Sequence, residues 1–518
     1  IPEKLKKTGR QADRGVFSAS AFRMWMILSV LFLLLCLSAQ TAFADRTVYV
    51  MSKDSEKSAS SEAVKASSDQ KLTPKTILKQ MTLEQKIAQM LMPSVRDEDG
   101  GGKDLTELTP VAREAIEKYS FCGYLFFSQN CQGVEQMTRL TSAMQRAAVD
   151  EQAGIPIPLL LAVDQEGGRI ERVGSGTLTP GNMALGAIWD EKAAESAARI
   201  IGSEMHAVGF NVDCAPVVDV NSNPKNPVIN LRSFGSNADL AADLGTGFVR
   251  GLDQAGVAAM LKHFPGHGDT ATDSHTGLPI IDKTLPELEK QELIPFQAGV
   301  DAGAAMIMTA HIEFPQVEKD TYTSRSTGKA IELPATLSDD ILTGVLRERM
   351  GFDGVIVTDA LKMDAIRKHF DLVDAAELAI NAGVDIILNP GDITTEKHVA
   401  SLDRYIHQIA ARVENGTISE ASIDEAVLRI LNLKEQYGLL DQTKKWRKTT
   451  DSDVDGLVKT AEISLGSEEN ENTIRSITER STTLLKNDHQ TLPVSDEKTV
   501  ILCPEQEAVA SVQTALKN

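Results

Sequence analysis

At 518 residues the chain can bury a large core in more than one domain. Its formal net charge of −20 excludes a nucleic acid or an anionic membrane surface as the main partner, because both require basic faces. Five cysteines without a C-x-x-C pair exclude a disulfide framework and a zinc ribbon; Cys122 and Cys131 are the one pair spaced for a bridge in an exported protein.

The first element is an export signal over residues 1–44. Lys4, Lys6, Lys7, Arg10, Arg14 and Arg23 precede the apolar run MWMILSVLFLLLCLSAQ, and Ala42-Phe43-Ala44 offers a signal-peptidase site. The run is shorter than the roughly 20 residues of a comfortable transmembrane helix, so export is expected, with an uncleaved N-terminal anchor as the alternative. Cys36 follows Leu35 rather than a small residue and belongs to the apolar run. Ile1 stands where an initiator methionine would, which leaves the upstream end open. Residues 45–72, rich in Ser, Lys, Glu and Ala, predict a disordered linker with little to bury.

From residue 73 the pattern becomes globular. Ile77, Leu78, Met81, Ile87 and Met90 recur at helical spacing, and Thr82 followed by Glu84 and Gln85 marks a helix start. Short apolar runs then alternate with helix-like stretches: MLMPSV, YLFFSQ, IPLLLAVDQEGG, FNVDCAPVVDV, VAAMLKHFPG, AAMIMTAHI, GVIVTDA and GVDIILNP. Near-continuous apolar strands separated by helices predict a parallel sheet covered on both faces, and eight of them close an α/β barrel of the (β/α)8 TIM type. An open doubly wound sheet is the structural alternative. Asp164, Asp219, His263, His311, Asp359 and Asn389 each stand where an apolar run stops, so in a barrel they converge on one rim. The barrel is expected over 73–440. Beyond it, KKWRKTTDSDVDGLVKTAEISLGSEENENT reads as a charged, loop-like connector, and residues 441–518 as that connector and the start of a second α/β domain that the sequence leaves incomplete.

One stretch concentrates chemistry. KHFPGHGDTATDSHTGLP, residues 262–279, holds three of the nine histidines. His263, His267 and His275 do not form a helical metal site, because Pro265, Gly266 and Gly268 break the helix that would align a four-residue pair. A phosphate loop would place Lys and Ser or Thr just inside a helix start, whereas Lys262 precedes the glycines at a strand end. The third reading is a proton-transfer device, with a non-helical zinc loop as the alternative: Asp273, two residues before His275, can hold one ring nitrogen and leave the other to act as general acid and base. Its counterpart is a nucleophile, for which Asp359 in GVIVTDALKMDAI is the best strand-end carboxylate.

These residues resemble glycoside hydrolase family 3, in particular its β-N-acetylglucosaminidase branch in the exported two-domain form. The resemblance runs from about residue 73 onward through DQEGGRIERV, NLRSFG, KHFPGHGDTATDSH, MTAHIEFP, PATLS, GFDGVIVTDALKMDAI and TTLLKNDHQTLP. It implies a retaining exo-acting hydrolase with Asp359 as nucleophile and His275, paired with Asp273, as acid and base. It also implies that Asp164, Arg172, Arg232, Lys262 and His263 grip the terminal sugar, with no metal or cofactor. Glu166, Arg169 and Asp219 are expected to support that rim, and His267 to be structural. The implied substrates are cell-wall saccharides bearing non-reducing GlcNAc on MurNAc. Histidine in place of the usual acid carboxyl does not repel an incoming anion, which leaves phosphate open as acceptor and a phosphorylase as the near alternative. A family 3 β-glucosidase would take its acid from a second domain, and a glycan-binding protein with a decayed site is the non-enzyme alternative. Pro265, Gly266, Gly268 and Gly277 predict a loop that can close over the sugar and deliver His275.

Overall fold

The computed structural model describes residues 73–150, 154–275 and 277–488. The expected export signal, the linker, Cys503 and the part of the expected second domain beyond residue 488 lie outside these residues. Among the described residues no helix is long and apolar enough to cross a membrane.

All eight expected strands form. They are β1 (Leu91–Ser94), β2 (Gly123–Phe126), β3 (Leu160–Val163), β4 (Val212–Asp213), β5 (Ala258–Phe264), β6 (Met306–Thr309), β7 (Val355–Val357) and β8 (Ile387–Asp392). Each pairs in parallel with its neighbour in chain order, and β8 pairs in parallel with β1. The Val357–Ile386 bridge joins β7 to β8, with Thr358 N donating to Ile386 O at 2.9 Å, so the sheet closes on itself. The closed (β/α)8 barrel, not the open sheet, is the architecture. β2, β3, β5, β6 and β7 are buried at every position, as strands covered on both faces must be, which is why they read as unbroken apolar runs.

The helical start read at Thr82 is a capping box: Thr82 Oγ1 accepts from Gln85 N, and Gln85 Oε1 accepts from Thr82 N. One expectation fails. The charged segment after residue 440 is not a loop but a run of helices, Thr443–Lys448, Asp451–Ser464 and Glu468–Ser481. Thr450 and Ser467 cap the latter two, and Val454, Val458 and Ala461 bury one narrow face. Arg139 and Arg146, on the helix Val134–Ala148, pair with Asp455 at 2.8 Å and Asp451 at 2.7 Å, which fixes the segment against the barrel's outer layer. Cys122, Cys131 and Cys214 are free thiols, so no bridge joins the first two.

Candidate active site

The strand ends do converge. Immediately after β3 the chain folds into a small antiparallel hairpin, Gln165–Gly167 with Ile170–Glu171, which presents Asp164, Glu166 and Arg172. Lys262 reaches across from β5, and its Nζ lies 2.7 Å from Asp164 Oδ1 and 2.7 Å from Glu166 Oε1. Arg232, on the loop after β4, forks onto Glu166 with Nε to Oε2 at 2.9 Å and Nη2 to Oε1 at 2.7 Å. Burial works to raise Glu166, but Lys262 and Arg232 outweigh it and hold the carboxyl at about 2. Burial opposes the charge of Lys262 as well, yet Asp164 and Glu166 keep its amine above the ordinary range. Glu166, Lys262 and Arg232 are therefore ionised. Such a balanced array of fixed donors and acceptors suits sugar hydroxyls, which need bonds of defined direction.

Glu166 is thus the hub that joins two of the expected sugar contacts, Arg232 and Lys262, and Lys262 links them to Asp164. Arg172 stands apart just after the second strand of the hairpin, with its Nε buried and unpartnered among the described residues. Arg169, exposed at the turn, makes no ion pair among them.

His263 belongs to a second cluster. Asp219 accepts from its backbone N at 3.2 Å and its Nδ1 at 2.8 Å, and from the backbone N of His267 at 2.6 Å. Burial opposes ionisation of Asp219, but the neighbouring histidines lower its pKa. The ionised carboxylate can only accept, so His263 Nδ1–H donates to it.

Asp359 follows β7 and is half-buried, with Oδ1 accepting from Ala360 N at 2.7 Å. Burial would raise its pKa, but His311, His263 and that N–H lower it below the ordinary value, which favours the charged carboxylate. His311, read only as a strand end, helps to fix this turn: its Nε2 donates to the Ala360 carbonyl at 3.1 Å. Asp273 and His275 ride the loop after β5, with His275 N and Nδ1 each 2.8 Å from Asp273 Oδ1. The backbone N–H and the ring of His275 outweigh burial and lower Asp273. The ionised carboxylate accepts a hydrogen bond from Nδ1–H, so Nε2 is the nitrogen left to exchange a proton with a ligand. His275 also acts electrostatically on Asp359, as His263 does. The loop begins at Gly268, where a Cβ would stand 1.8 Å from the Val220 carbonyl oxygen, so only glycine lets the chain leave the barrel there.

Beside this pair opens a cleft of about 880 Å³ lined by His275, Ala360, Lys362, Asn389, Lys397 and Arg404, among others. Within it Asp99, Asp392 and His398 lie close enough together to share a metal ion, but Lys362 already bridges Asp99 at 3.0 Å and Asp392 at 3.1 Å. Asn389, the sixth strand-end residue, donates to Glu98 at 3.0 Å in this cleft. Lys362 was not singled out from sequence, although it lies three residues after Asp359 in the same motif.

The family model for the glycosyl hydrolase family 3 N-terminal domain matches residues 82–433. A β-hexosaminidase A from Pseudoalteromonas piscicida is 40% identical over 368 residues, which are 68% of this chain and 61% of that protein. The chain thus spans about three fifths of that relative's length. Among solved structures, a glycoside hydrolase family 3 β-N-acetylglucosaminidase from Paenibacillus sp. str. FPU-7 aligns with a TM-score of 0.66 at 37% identity, covering 77% of this chain and 69% of that one. The β-glucoside phosphorylase BglX aligns with a TM-score of 0.67 at 26% identity over 82% of this chain and 69% of its own. With a barrel of this topology and a family match over most of its length, the chain belongs to glycosyl hydrolase family 3.

Proposed function

We propose that the chain is an exported, retaining exo-β-N-acetylglucosaminidase acting on cell-wall muropeptides. The observation that carries this reading is the ionised Asp359 at the barrel rim, with the His275–Asp273 pair on the loop beside it. Asp359 attacks the anomeric carbon while His275 Nε2–H protonates the departing sugar oxygen, giving a glycosyl-enzyme. His275, now neutral at Nε2, then takes a proton from water as the water displaces Asp359, and the sugar leaves with its original configuration. Asp164, Lys262, Arg232 and His263, with Arg172, hold the terminal sugar. The identities to proteins described as β-hexosaminidase and β-N-acetylglucosaminidase support N-acetylglucosamine as that sugar.

The cleft beside His275 takes the leaving group. Lys397 has no carboxylate partner among the described residues, and Arg404 bonds only the Ser401 hydroxyl, at 2.8 Å. Seven residues apart on the helix Glu396–Glu414, the two cations share one face and favour an acidic aglycone such as a lactyl- and peptide-bearing muramyl unit. Export rests on the basic and apolar N-terminal segment. A second reading, phosphorolysis, is favoured by the use of His275 in place of a second carboxylate, because phosphate then meets less repulsion at the glycosyl-enzyme.

Aryl β-N-acetylglucosaminide and aryl β-glucoside, each assayed with and without phosphate, separate these readings. The expected result is release of N-acetylglucosamine, seen first as the β-anomer by proton NMR. Sugar 1-phosphate as product would establish the phosphorylase, and preferential cleavage of the glucoside a β-glucosidase. No turnover of either, while Asp359→Asn still bound the sugar, would establish a binding protein.

A further inference from the structure

The loop that carries Asp273 and His275 alternates in direction. The side chains of Asp273 and His275 are 35% and 62% exposed, whereas Ser274 between them is 2% exposed and turned inward. Its Oγ meets His267 Nε2 at 3.0 Å. His267, three residues beyond β5, is tied to the barrel rim: its N–H donates to Asp219, its carbonyl accepts from Asn226 Nδ2 at 2.8 Å, and its ring packs edge-on against His263 at 5.8 Å.

The remaining ring nitrogen, Nδ1, is buried and unpartnered among the described residues. Burial and the nearby His263 push His267 down to about 4, so the ring is neutral at working pH and carries one proton. Nδ1 lacks a partner in either tautomer, and the Ser274 hydroxyl can accept from Nε2–H or donate to a bare Nε2, so the Nε2–Oγ contact is a hydrogen bond in both. The contact therefore ties the loop to the residues that follow β5. It ties the one residue whose displacement moves both members of the acid/base pair.

We propose that His267 and Ser274 form a latch, with both acting as positioning residues that set where the Asp273–His275 pair stands relative to Asp359. The proposal rests on the reading of His275 as acid and base. A latch of this kind affects proton delivery more than sugar binding, so its loss is felt in proportion to how much the leaving group needs a proton.

The test is kcat/KM of wild type, Ser274→Ala, Ser274→Thr and His275→Ala on aryl β-N-acetylglucosaminides whose phenols range from weakly to strongly acidic. For Ser274→Ala the expected loss is about tenfold on the least acidic phenol and under about twofold on dinitrophenol, a fraction of the effect of a complete general acid. Ser274→Thr, which keeps the hydroxyl, is expected to regain most of it. His267→Leu should match Ser274→Ala, and the double variant should be no worse than either. An equal loss on every phenol, or none, would overturn the latch, provided that His275→Ala shows the steep dependence. If His275→Ala itself shows no such dependence, the acid/base reading fails, and the latch with it.

Discussion

Arg232 and Glu166 form a two-point fork, Nε to Oε2 at 2.9 Å and Nη2 to Oε1 at 2.7 Å, with Lys262 2.7 Å from the same carboxylate. A carboxylate that is 2% exposed and shared by two cations is a support that the sugar contacts cannot do without. Glu166→Gln leaves Lys262 with Asp164, and Arg232 with the fields of Asp164 and Asp219, as counter-charge. Removing one partner of a buried ion pair costs about 3–5 kcal/mol, so the midpoint of thermal unfolding falls, and KM for an aryl N-acetylglucosaminide rises more than kcat drops. The sign with pH is fixed. Glu166 is held at about 2 against an ordinary 4.5, so its contribution is complete above 4.5 and is lost as pH falls toward 2. The stability gap between wild type and variant should narrow over that window, which unfolding curves at several pH values will measure.

Lys397 and Arg404 make a prediction about the leaving-group side. Replacing both by Gln should lower kcat/KM on a substrate with an acidic aglycone several-fold and leave a neutral aryl glycoside unaffected. The difference should shrink as salt is added, because exposed charges act through a screened field. Parallel loss on both substrates would show that the cations serve the fold instead.

Lys434 is a buried amine whose Nζ bonds Gln89 Oε1 at 2.8 Å, and burial pushes its pKa down from 10.5 to about 7. The unfolded chain therefore binds more protons than the folded one between those values, and stability rises with pH across that window. The penalty is complete below pH 7 and disappears toward 10.5. Lys434→Met is expected to be more stable than wild type near neutrality, by an amount on the order of a few kcal/mol before the lost Gln89 bond is counted, and to lose that margin as pH rises. Chemical denaturation of both proteins at pH 7 and 9 checks it.

The barrel was legible because strands buried on both faces must be apolar throughout, and a polar residue such as Asp164 or Asp359 then marks where each one ends. The Asp273–His275 pair was legible for a related reason: its two members are near neighbours in sequence. Glu166 as a hub was not, since its partners Arg232 and Lys262 come from other strand ends and only the closed barrel brings them together. Ser274 was hidden by the same non-locality at shorter range, because a serine between two titratable residues carries no mark of the rim it touches. The helices at 451–481 were misread because their buried face is narrow and most positions are charged, so the caps at Thr450 and Ser467 were the only strong helical signal.

In the proposed mechanism Asp359 becomes covalently bonded to the sugar. Incubation with a 5-fluoro N-acetylglucosaminyl fluoride, which forms the glycosyl-enzyme but turns over slowly, followed by intact-mass measurement and peptide mapping, tests it directly. One added fluorosugar on the peptide containing Asp359, absent from Asp359→Asn, is the predicted result. An active enzyme that accumulates no adduct, or carries it on another residue, would contradict the account.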